Sequence, residues 1–461
     1  MGTSTAMTAI EQIDVIPLTR NQKSLIYLVV LGNISEFFDI FIIGFAVSSL
    51  LKDPNWHLKG YEAGWIIAMS GLGTVIGAIL WGRLADKIGR KSSFFWCVLI
   101  FTLFTLAAVF TPDDGWIMLA ALRIVIGIGV GGLNITSIPY VQEFVPAKQR
   151  GLLSGLASVF IPLGLFLGSM AQLVVGTHWR VLIALGALPI LLLIWLRQVP
   201  ESPRFLQSQG RSEEARAAFA WALQLPVEQV GPLPHMKVTD TTSYRLIFAH
   251  YLKPLVIITL GSFCFILGSS VIQGWGQSIL GSGFKFSASM VGWLFMLVSF
   301  GDFLGRLASA WLADIIGRRW TLLGFSVLGA CGLMLSAWAA AMTHSGMLDI
   351  VSGGWIFFLG ILIAMTFGDG AFGILNAFGA EQFPNKARPT GLGLGYGLGA
   401  SAKVFGPALL GTWFGATVTI DLIPLAFGVF AALLVIGGAI YMFAKETRGI
   451  SLDDILETKK V

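Results

Sequence analysis

Long apolar segments alternate with short polar ones along almost the whole chain. Twelve of the apolar segments have about 20 residues or more, the length a helix needs to cross roughly 30 Å of hydrocarbon. The predicted spans are 24–50, 62–81, 92–111, 116–138, 152–176, 180–198, 252–280, 288–312, 320–342, 350–378, 390–416 and 422–444. The pattern predicts an all-α membrane protein, because a spanning helix satisfies its own backbone hydrogen bonds.

Two polar motifs occur twice, at equivalent places in the two halves of this pattern. Segment 82–91 reads GRLADKIGRK and segment 310–319 reads AWLADIIGRR. Glu-x-x-Pro-x-x-x-Arg occurs at 143–150 and again at 381–388. Such duplication predicts two six-helix halves related about an axis along the membrane normal, with a central cavity between them.

The long polar segment between spans six and seven divides the chain. We predict a cytoplasmic N-terminal segment at 1–23, an N-terminal half at 24–198, a central cytoplasmic loop at 199–251, a C-terminal half at 252–444 and a cytoplasmic tail at 445–461.

Composition and charge agree with a membrane location. The 461 residues are 55% hydrophobic and 12% charged, and the mean hydropathy is +0.79, too apolar for a soluble domain. The basic residues concentrate in the loops on one side, whereas the other side holds only Lys52, Lys59, Arg180 and Lys285. The positive-inside rule therefore places both termini in the cytoplasm of a protein of the cell membrane. The net charge of +5 then indicates topology rather than nucleic-acid binding.

Four motifs together resemble the major facilitator superfamily, over nearly the whole chain. They are the loop 82–91, the glycine-rich 123–132, Pro-Glu-Ser-Pro-Arg-Phe-Leu at 200–206, and Glu-Thr-Arg-Gly-x-Ser-Leu at 446–452. The resemblance implies a secondary active transporter that works by alternating access.

Two shorter segments narrow this resemblance. Residues 13–20 and 36–39 look like those of metabolite:proton symporters related to aromatic-acid symporters and organic-ion transporters. The sugar-porter branch shares the loop motifs, but its span-five glutamine motif is replaced at 161–166. Its paired span-seven glutamines are also absent, and residues 273–277 read QGWGQ instead.

Ionisable groups within predicted spans need a partner or a function, because they are costly in hydrocarbon. Asp39 and Arg123 reach similar depths from opposite ends of spans one and four, so they could pair. The resemblance implies that this acid and this arginine couple transport to protons. A permanent salt bridge is the alternative. Glu36 lies within a turn of Asp39 and is either a second protonation site or a neutral, hydrogen-bonded acid.

Lys403 lies inside span eleven, and nothing near it in sequence neutralises it. In the organic-ion transporters that the chain resembles, a basic residue of this span is associated with anion binding. Lys403 is therefore a candidate for holding a substrate carboxylate, unless Asp369 in span ten pairs with it. Asp302 and Arg306, four residues apart on span eight, are expected to form a structural pair on one helix face.

Other polar and aromatic residues of the spans complete the predicted substrate site. With Lys403, the candidates are Asn33, Phe37, Asn134, Gln273, Trp275, Gln277 and Asn376. A few polar groups among apolar walls suit a small, partly aromatic acid.

Charged residues of the predicted cytoplasmic loops are expected to latch the two halves together when that side closes. They are Arg83, Asp86, Arg90, Glu143, Arg150, Glu201, Arg204, Asp314, Arg318, Glu381 and Arg388. The alternative is that they only fix topology.

The preferred hypothesis is a proton-coupled symporter of a small organic anion. A sugar or polyol symporter or facilitator and a nutrient sensor with a transporter fold remain alternatives. No enzyme motif is present, and the five histidines lack metal-ligand spacing. We therefore expect no metal or cofactor beyond the coupling proton. The expected partners are a small-molecule substrate and the lipid bilayer, and the expected oligomeric state is a monomer.

Overall fold

The computed structural model describes residues 7–146, 159–233, 244–383 and 388–448, and these residues are predominantly helical. Among the described residues, ten helices are long and apolar enough to cross a membrane. They are α1 (Arg20–Leu50), α2 (Gly60–Ile88), α3 (Arg90–Val109), α4 (Trp116–Gln142), α6 (Trp179–Leu196), α7 (Leu252–Gly283), α8 (Ala288–Ile316), α9 (Arg318–His344), α10 (Ile350–Glu381) and α13 (Ile423–Tyr441).

Within the described residues, three shorter helices complete the bundle: the apolar α5 (Ile161–Val175), α11 (Arg388–Gly399) and α12 (Ala402–Phe414). Part of predicted span five lies outside the described residues. Predicted span eleven is not one continuous helix, because a turn at residues 400–401 separates α11 from α12. The amide of Lys403 donates to the carbonyl of Ala400 there (3.0 Å), an i to i−3 bond that tightens the chain after a glycine-rich stretch.

Local sequence signals set the helix ends. Thr19 and Gln22 form a reciprocal capping box at the start of α1. Gly89 and Gly317 adopt φ of 99° and 97°, so each separates two consecutive spanning helices at a backbone angle that favours glycine. These glycines lie at matching places in the duplicated loop.

We refer to α1–α6 as the N-terminal half and to α7–α13 as the C-terminal half. In the part of the chain that the structure describes, the two halves pack mainly through three pairs of helices: α1 with α7, α2 with α12, and α5 with α8. On α2 and α12, Gly64 and Gly411 bring the two backbones together so closely that a Cβ on Gly64 would lie 2.8 Å from the Cα of Gly411. Small residues permit this approach between helices in lipid.

The end of the bundle that carries the duplicated loops also carries the loop helices, and we call it the basic end. The helix Ala9–Val15 packs there against Ser212–Leu223 through a small apolar cluster that includes Ile13 and Phe219. One large apolar core runs through both halves, while bulky apolar side chains such as Trp293 and Trp311 of α8 point outward. This outer surface suits lipid.

Candidate functional site

A bidentate ion pair lies inside the N-terminal half. The guanidinium of Arg123 on α4 donates to both carboxylate oxygens of Asp39 on α1, at 2.9 and 2.8 Å. The two side chains are only 3% and 2% exposed. The predicted pairing is therefore confirmed, although each residue comes from a different helix.

A third residue fixes the orientation of this pair. Arg123 Nε donates to Ser70 Oγ on α2 at 2.6 Å, so the guanidinium is held by two helices at once. Both oxygens of Asp39 accept from the guanidinium, so the pair is bidentate and its geometry is fixed. Sequence reasoning did not identify Ser70, because a single serine in an apolar span carries no distinctive signal.

Glu36 is completely buried, on the same helix as Asp39 and less than one turn before it. Asn33, about one turn before Glu36 on α1, is also buried, and its Oδ1 accepts from the Ser137 hydroxyl of α4 at 3.4 Å. Phe37 is half-buried. The contact of Asn33 with Ser137 therefore adds a polar link between α1 and α4. The side chain of Asn134 lies outside the described residues.

A second buried cluster lies in the C-terminal half, and it contains one residue more than predicted. Arg306 Nε donates to Asp302 Oδ1 at 3.0 Å on the same helix, α8, which confirms the predicted i,i+4 pair. Arg306 also donates, through its terminal Nη2, to Asp369 Oδ2 at 2.5 Å. All three side chains are at most 3% exposed.

The position of Asp369 depends on an irregularity in α10. Residues Met365–Asp369 form a π-helical turn, which shifts the register of the helix and is common at functional sites. Gln273 Nε2 of α7 donates to Asp369 Oδ1 at 2.6 Å. Asp369 thus pairs with Arg306, so the alternative that it neutralises Lys403 does not hold in this structure. Gln273, a candidate substrate residue, donates to this carboxylate here.

Lys403 lies at the interface of the two halves, just after the turn that begins α12. It is half-buried, and its Cβ would lie 3.0 Å from a Cβ placed on Gly71 of α2. Gly71 directly follows Ser70, the residue that binds Arg123. One turn of α2 therefore contacts both the Asp39–Arg123 pair and the backbone of the lysine. Within the described ranges, no carboxylate forms an ion pair with Lys403, since Asp369 is bonded elsewhere.

The remaining predicted substrate residues are less accessible than expected. Trp275 is fully buried, donates to the carbonyl of Pro407 at 3.2 Å and packs on Phe414, so in this conformation it joins α7 to α12. Gln277 is also fully buried, and its amide atoms have no hydrogen-bond partner among the described residues. Asn376 is half-buried on α10.

At the basic end, the predicted latch residues form two matching networks. In the N-terminal half, Arg90 pairs with Asp86 at 2.8 Å and with Glu143 at 3.6 Å. In the C-terminal half, Arg318 pairs with Asp314 at 3.0 Å and with Glu381 at 3.4 Å. Each of these pairs joins residues of one half.

A carboxylate from the end of each half caps the helix that follows the duplicated loop. Glu201 accepts from the amides of Lys91 and Ser92, at 2.9 and 3.3 Å. Glu446 likewise accepts from the amides of Arg318 and Arg319, at 3.0 and 3.1 Å. A carboxylate is well placed at a helix N-terminus, where amides are unpaired and the dipole is positive.

A hydroxyl residue follows each capping acid and completes the likeness between the halves. Ser202 donates to Glu143, and Thr447 donates to Glu381. The signal was present as Glu-Ser and Glu-Thr in the two motifs, but only the fold shows that these dipeptides are equivalent.

The other predicted latch residues take less part in these networks. Arg204 is half-buried. Burial raises the pKa of Glu143 to about 7, and the positive charge of the nearby Arg204 opposes this rise. Arg83 is exposed. Arg150 and the side chain of Arg388 lie outside the described residues.

Comparison with known proteins agrees with this architecture. The family model described as sugar (and other) transporter matches residues 25–458. The chain belongs to this transporter family. It is therefore a multi-pass membrane transporter of the major facilitator superfamily, located in the cell membrane, and not an enzyme.

The family includes transporters of several small metabolites. The chain is 28% identical to the niacin transporter NiaP of Acinetobacter baylyi over 465 residues, which cover 97% of this chain and 100% of the relative. It is 26% identical to the benzoate transport protein of the same species, covering 87% and 85% of the two chains.

Solved structures show the same fold. The inward-open conformation of the xylose transporter XylE from E. coli superimposes with a TM-score of 0.69 at 19% identity, covering 94% of this chain and 99% of that one. The proton:xylose symporter XylE bound to 6-bromo-6-deoxy-D-glucose gives a TM-score of 0.66 at 20% identity, covering 94% and 98%.

Proposed function

We propose that this member of the sugar (and other) transporter family is a proton-coupled symporter of a small organic anion, with aromatic carboxylates as the first candidates. The chain crosses the membrane twelve times, keeps both termini in the cytoplasm, acts as a monomer and needs no cofactor beyond the coupling proton. The basic end is then the cytoplasmic end.

The observation that carries the anion proposal is Lys403. It is a half-buried cation at the interface of the two halves, and no carboxylate neutralises it within the described ranges. A desolvated ammonium attracts a substrate carboxylate far more strongly than an ammonium in water does. Relatives named for niacin and benzoate transport support the same substrate class, since both compounds are small aromatic carboxylates.

The coupling proposal rests on the pair of Asp39 and Arg123. Asp39 is neutralised by Arg123 when the pair is closed, and it would take up a proton when the pair opens to water and the cation withdraws. Because α2 holds Arg123 through Ser70 and contacts Lys403 through Gly71, a movement of α2 would reach both sites together.

Transport in proteoliposomes tests the proposal. Purified protein is reconstituted, and uptake of labelled nicotinate, benzoate and xylose is measured with and without an inward proton gradient. We expect nicotinate or benzoate to accumulate only with the gradient, and the signal to vanish with an uncoupler. Uptake of xylose alone would favour a sugar symporter, and carboxylate uptake indifferent to the gradient would show a facilitator.

A further inference from the structure

The buried cluster of the C-terminal half has an excess of acid. Asp302 and Asp369 share the single guanidinium of Arg306, whereas Asp39 has Arg123 to itself. With both carboxylates ionised, the cluster would carry an unbalanced negative charge in a region almost closed to solvent. Such a charge is costly in a low-dielectric interior, and a carboxyl group avoids the cost by taking up a proton.

The hydrogen bonds indicate which oxygen carries the proton. Arg306 donates a hydrogen bond to one carboxylate oxygen of Asp369, and Gln273 donates to the other, so both oxygens act as acceptors. Asp302 accepts a hydrogen bond from Arg306 Nε through Oδ1. Its other oxygen, Oδ2, is buried and has no donor among the described residues. Nε and Nη2 are neighbouring atoms of one guanidinium, which places the two carboxyl groups side by side. They can therefore share one proton.

The other charged groups of the packed helices lie at or near the helix ends, away from the cluster at mid-helix. On α8 itself the next charge is Asp314. The helices packed against the cluster are α5, α7, α9, α10 and α13; α5 and α13 carry no charged residue. The titratable residues of the others are Lys253, Cys264, Arg318, Arg319, Cys331, His344 and Glu381. Glu381 is roughly 18 Å from Asp369 along α10, at 1.5 Å per residue, and it binds Arg318.

We propose that Asp302 and Asp369 form a second proton-binding site, which holds one shared proton in this conformation and releases it during the transport cycle. The proposal rests on the proposed proton-coupled function and deepens it. The N-terminal pair and the C-terminal cluster would each carry one proton. A monoanionic substrate moved with two protons would carry one net positive charge across the membrane.

The first test measures the proton directly and needs no substrate. Infrared difference spectra of the purified protein are recorded between neutral and alkaline pH, in water and in deuterium oxide. We expect a protonated-carboxyl carbonyl band at neutral pH that is lost in Asp302→Asn. Asp314→Asn, which removes an exposed, ion-paired aspartate of the same helix, should leave the band in place. If the band is equally strong in Asp302→Asn and Asp369→Asn as in the original protein, the proposal is wrong.

The second test asks whether the proton moves. Uptake of labelled nicotinate into proteoliposomes is driven by a fixed proton gradient, with and without an inside-negative potassium diffusion potential. We expect the potential to increase accumulation, and Asp302→Asn to lose that increase while still responding to the proton gradient. Asp369→Asn serves as the second variant if Asp302→Asn does not fold.

The outcomes separate this proposal from the proposed function. An unchanged response to the potential in a folded variant would mean that the proton is static, and would overturn the second site alone. Absence of gradient-driven uptake by the original protein would instead overturn the proposed symport. The infrared band would still report whether the cluster binds a proton.

Discussion

The two halves of the bundle bury their charges differently. The N-terminal half matches one acid, Asp39, with one base, Arg123, through two bonds to the same carboxylate. The C-terminal half sets two acids, Asp302 and Asp369, around the single base Arg306. The charged networks at the basic end match residue for residue between the halves, whereas the buried charges at the centre of the bundle do not.

This contrast indicates which parts of a duplicated fold are free to diverge. The networks at the basic end hold helix ends together, and this structural role is the same in both halves. The central charges lie on either side of the interface between the halves, where substrate and coupling ion are expected, so each half can acquire a separate role. Variants that affect one half and spare the other test this view.

The largest difference between the two halves is expected in thermal stability when the buried arginine of each half is replaced. Taking one partner from a buried ion pair destabilises a protein by roughly 3–5 kcal/mol, because a charge is left uncompensated. Arg123→Gln leaves one such carboxylate, whereas Arg306→Gln leaves one carboxylate together with a protonated carboxyl group, and both lose their shared donor. We expect both variants to melt earlier in detergent, Arg306→Gln by more, with part of the loss recovered when the pH is lowered from 8 to 5. Equal losses in the two variants, measured by fluorescence-detected size exclusion after heating, would contradict the contrast.

Asp39→Asn should separate transport from its driving force. Asparagine keeps the shape of the side chain but cannot take up or release a proton, so proton-driven accumulation should fall to the equilibrium ratio. Exchange of internal for external substrate should remain, because it needs no net proton movement. Counterflow and gradient-driven uptake of nicotinate, measured on the same vesicles, check both expectations. Intact accumulation would remove Asp39 from the coupling site.

Lys403→Gln should weaken substrate binding and leave coupling in place. A hydrogen bond to a charged group contributes about 1.5–3 kcal/mol, so the apparent KM for a carboxylate should rise about 10- to 100-fold. Lys403→Arg, which keeps the charge, is the matched control and should lose less. An unchanged KM in Lys403→Gln would mean that the lysine has a structural role.

The smallest effect concerns the matching loop networks. The pKa of Glu143 is raised to about 7, chiefly by burial, so this group stabilises the fold most at low pH and loses that contribution as the pH rises through 7. Glu143→Gln should therefore flatten the change in melting temperature between pH 4.5 and 7, by roughly several degrees. Glu381→Gln alters the equivalent position of the other half and is the comparison. A pH profile identical to that of the original protein would contradict the assignment.

Much of this architecture could be predicted because its signals are local or repeated. The apolar period and length identified ten of the spanning helices, and the repeats at 82–91 and 310–319 identified the duplication. The pair of Asp302 and Arg306 follows from spacing on one helix. The pair of Asp39 and Arg123 could also be predicted, because the depth of each residue in the membrane can be counted along its span.

The sequence by itself therefore determined the membrane class, the duplicated halves and the buried charges that need partners, since each depends on neighbouring residues or on a count along one helix. Only the tertiary structure decided the further contacts that these charges make. Arg306 meets Asp369 because a π-helical turn rotates α10, and one turn of α2 joins Arg123 to the backbone of Lys403. These contacts depend on how separate helices pack in three dimensions, which no pattern within a single span specifies.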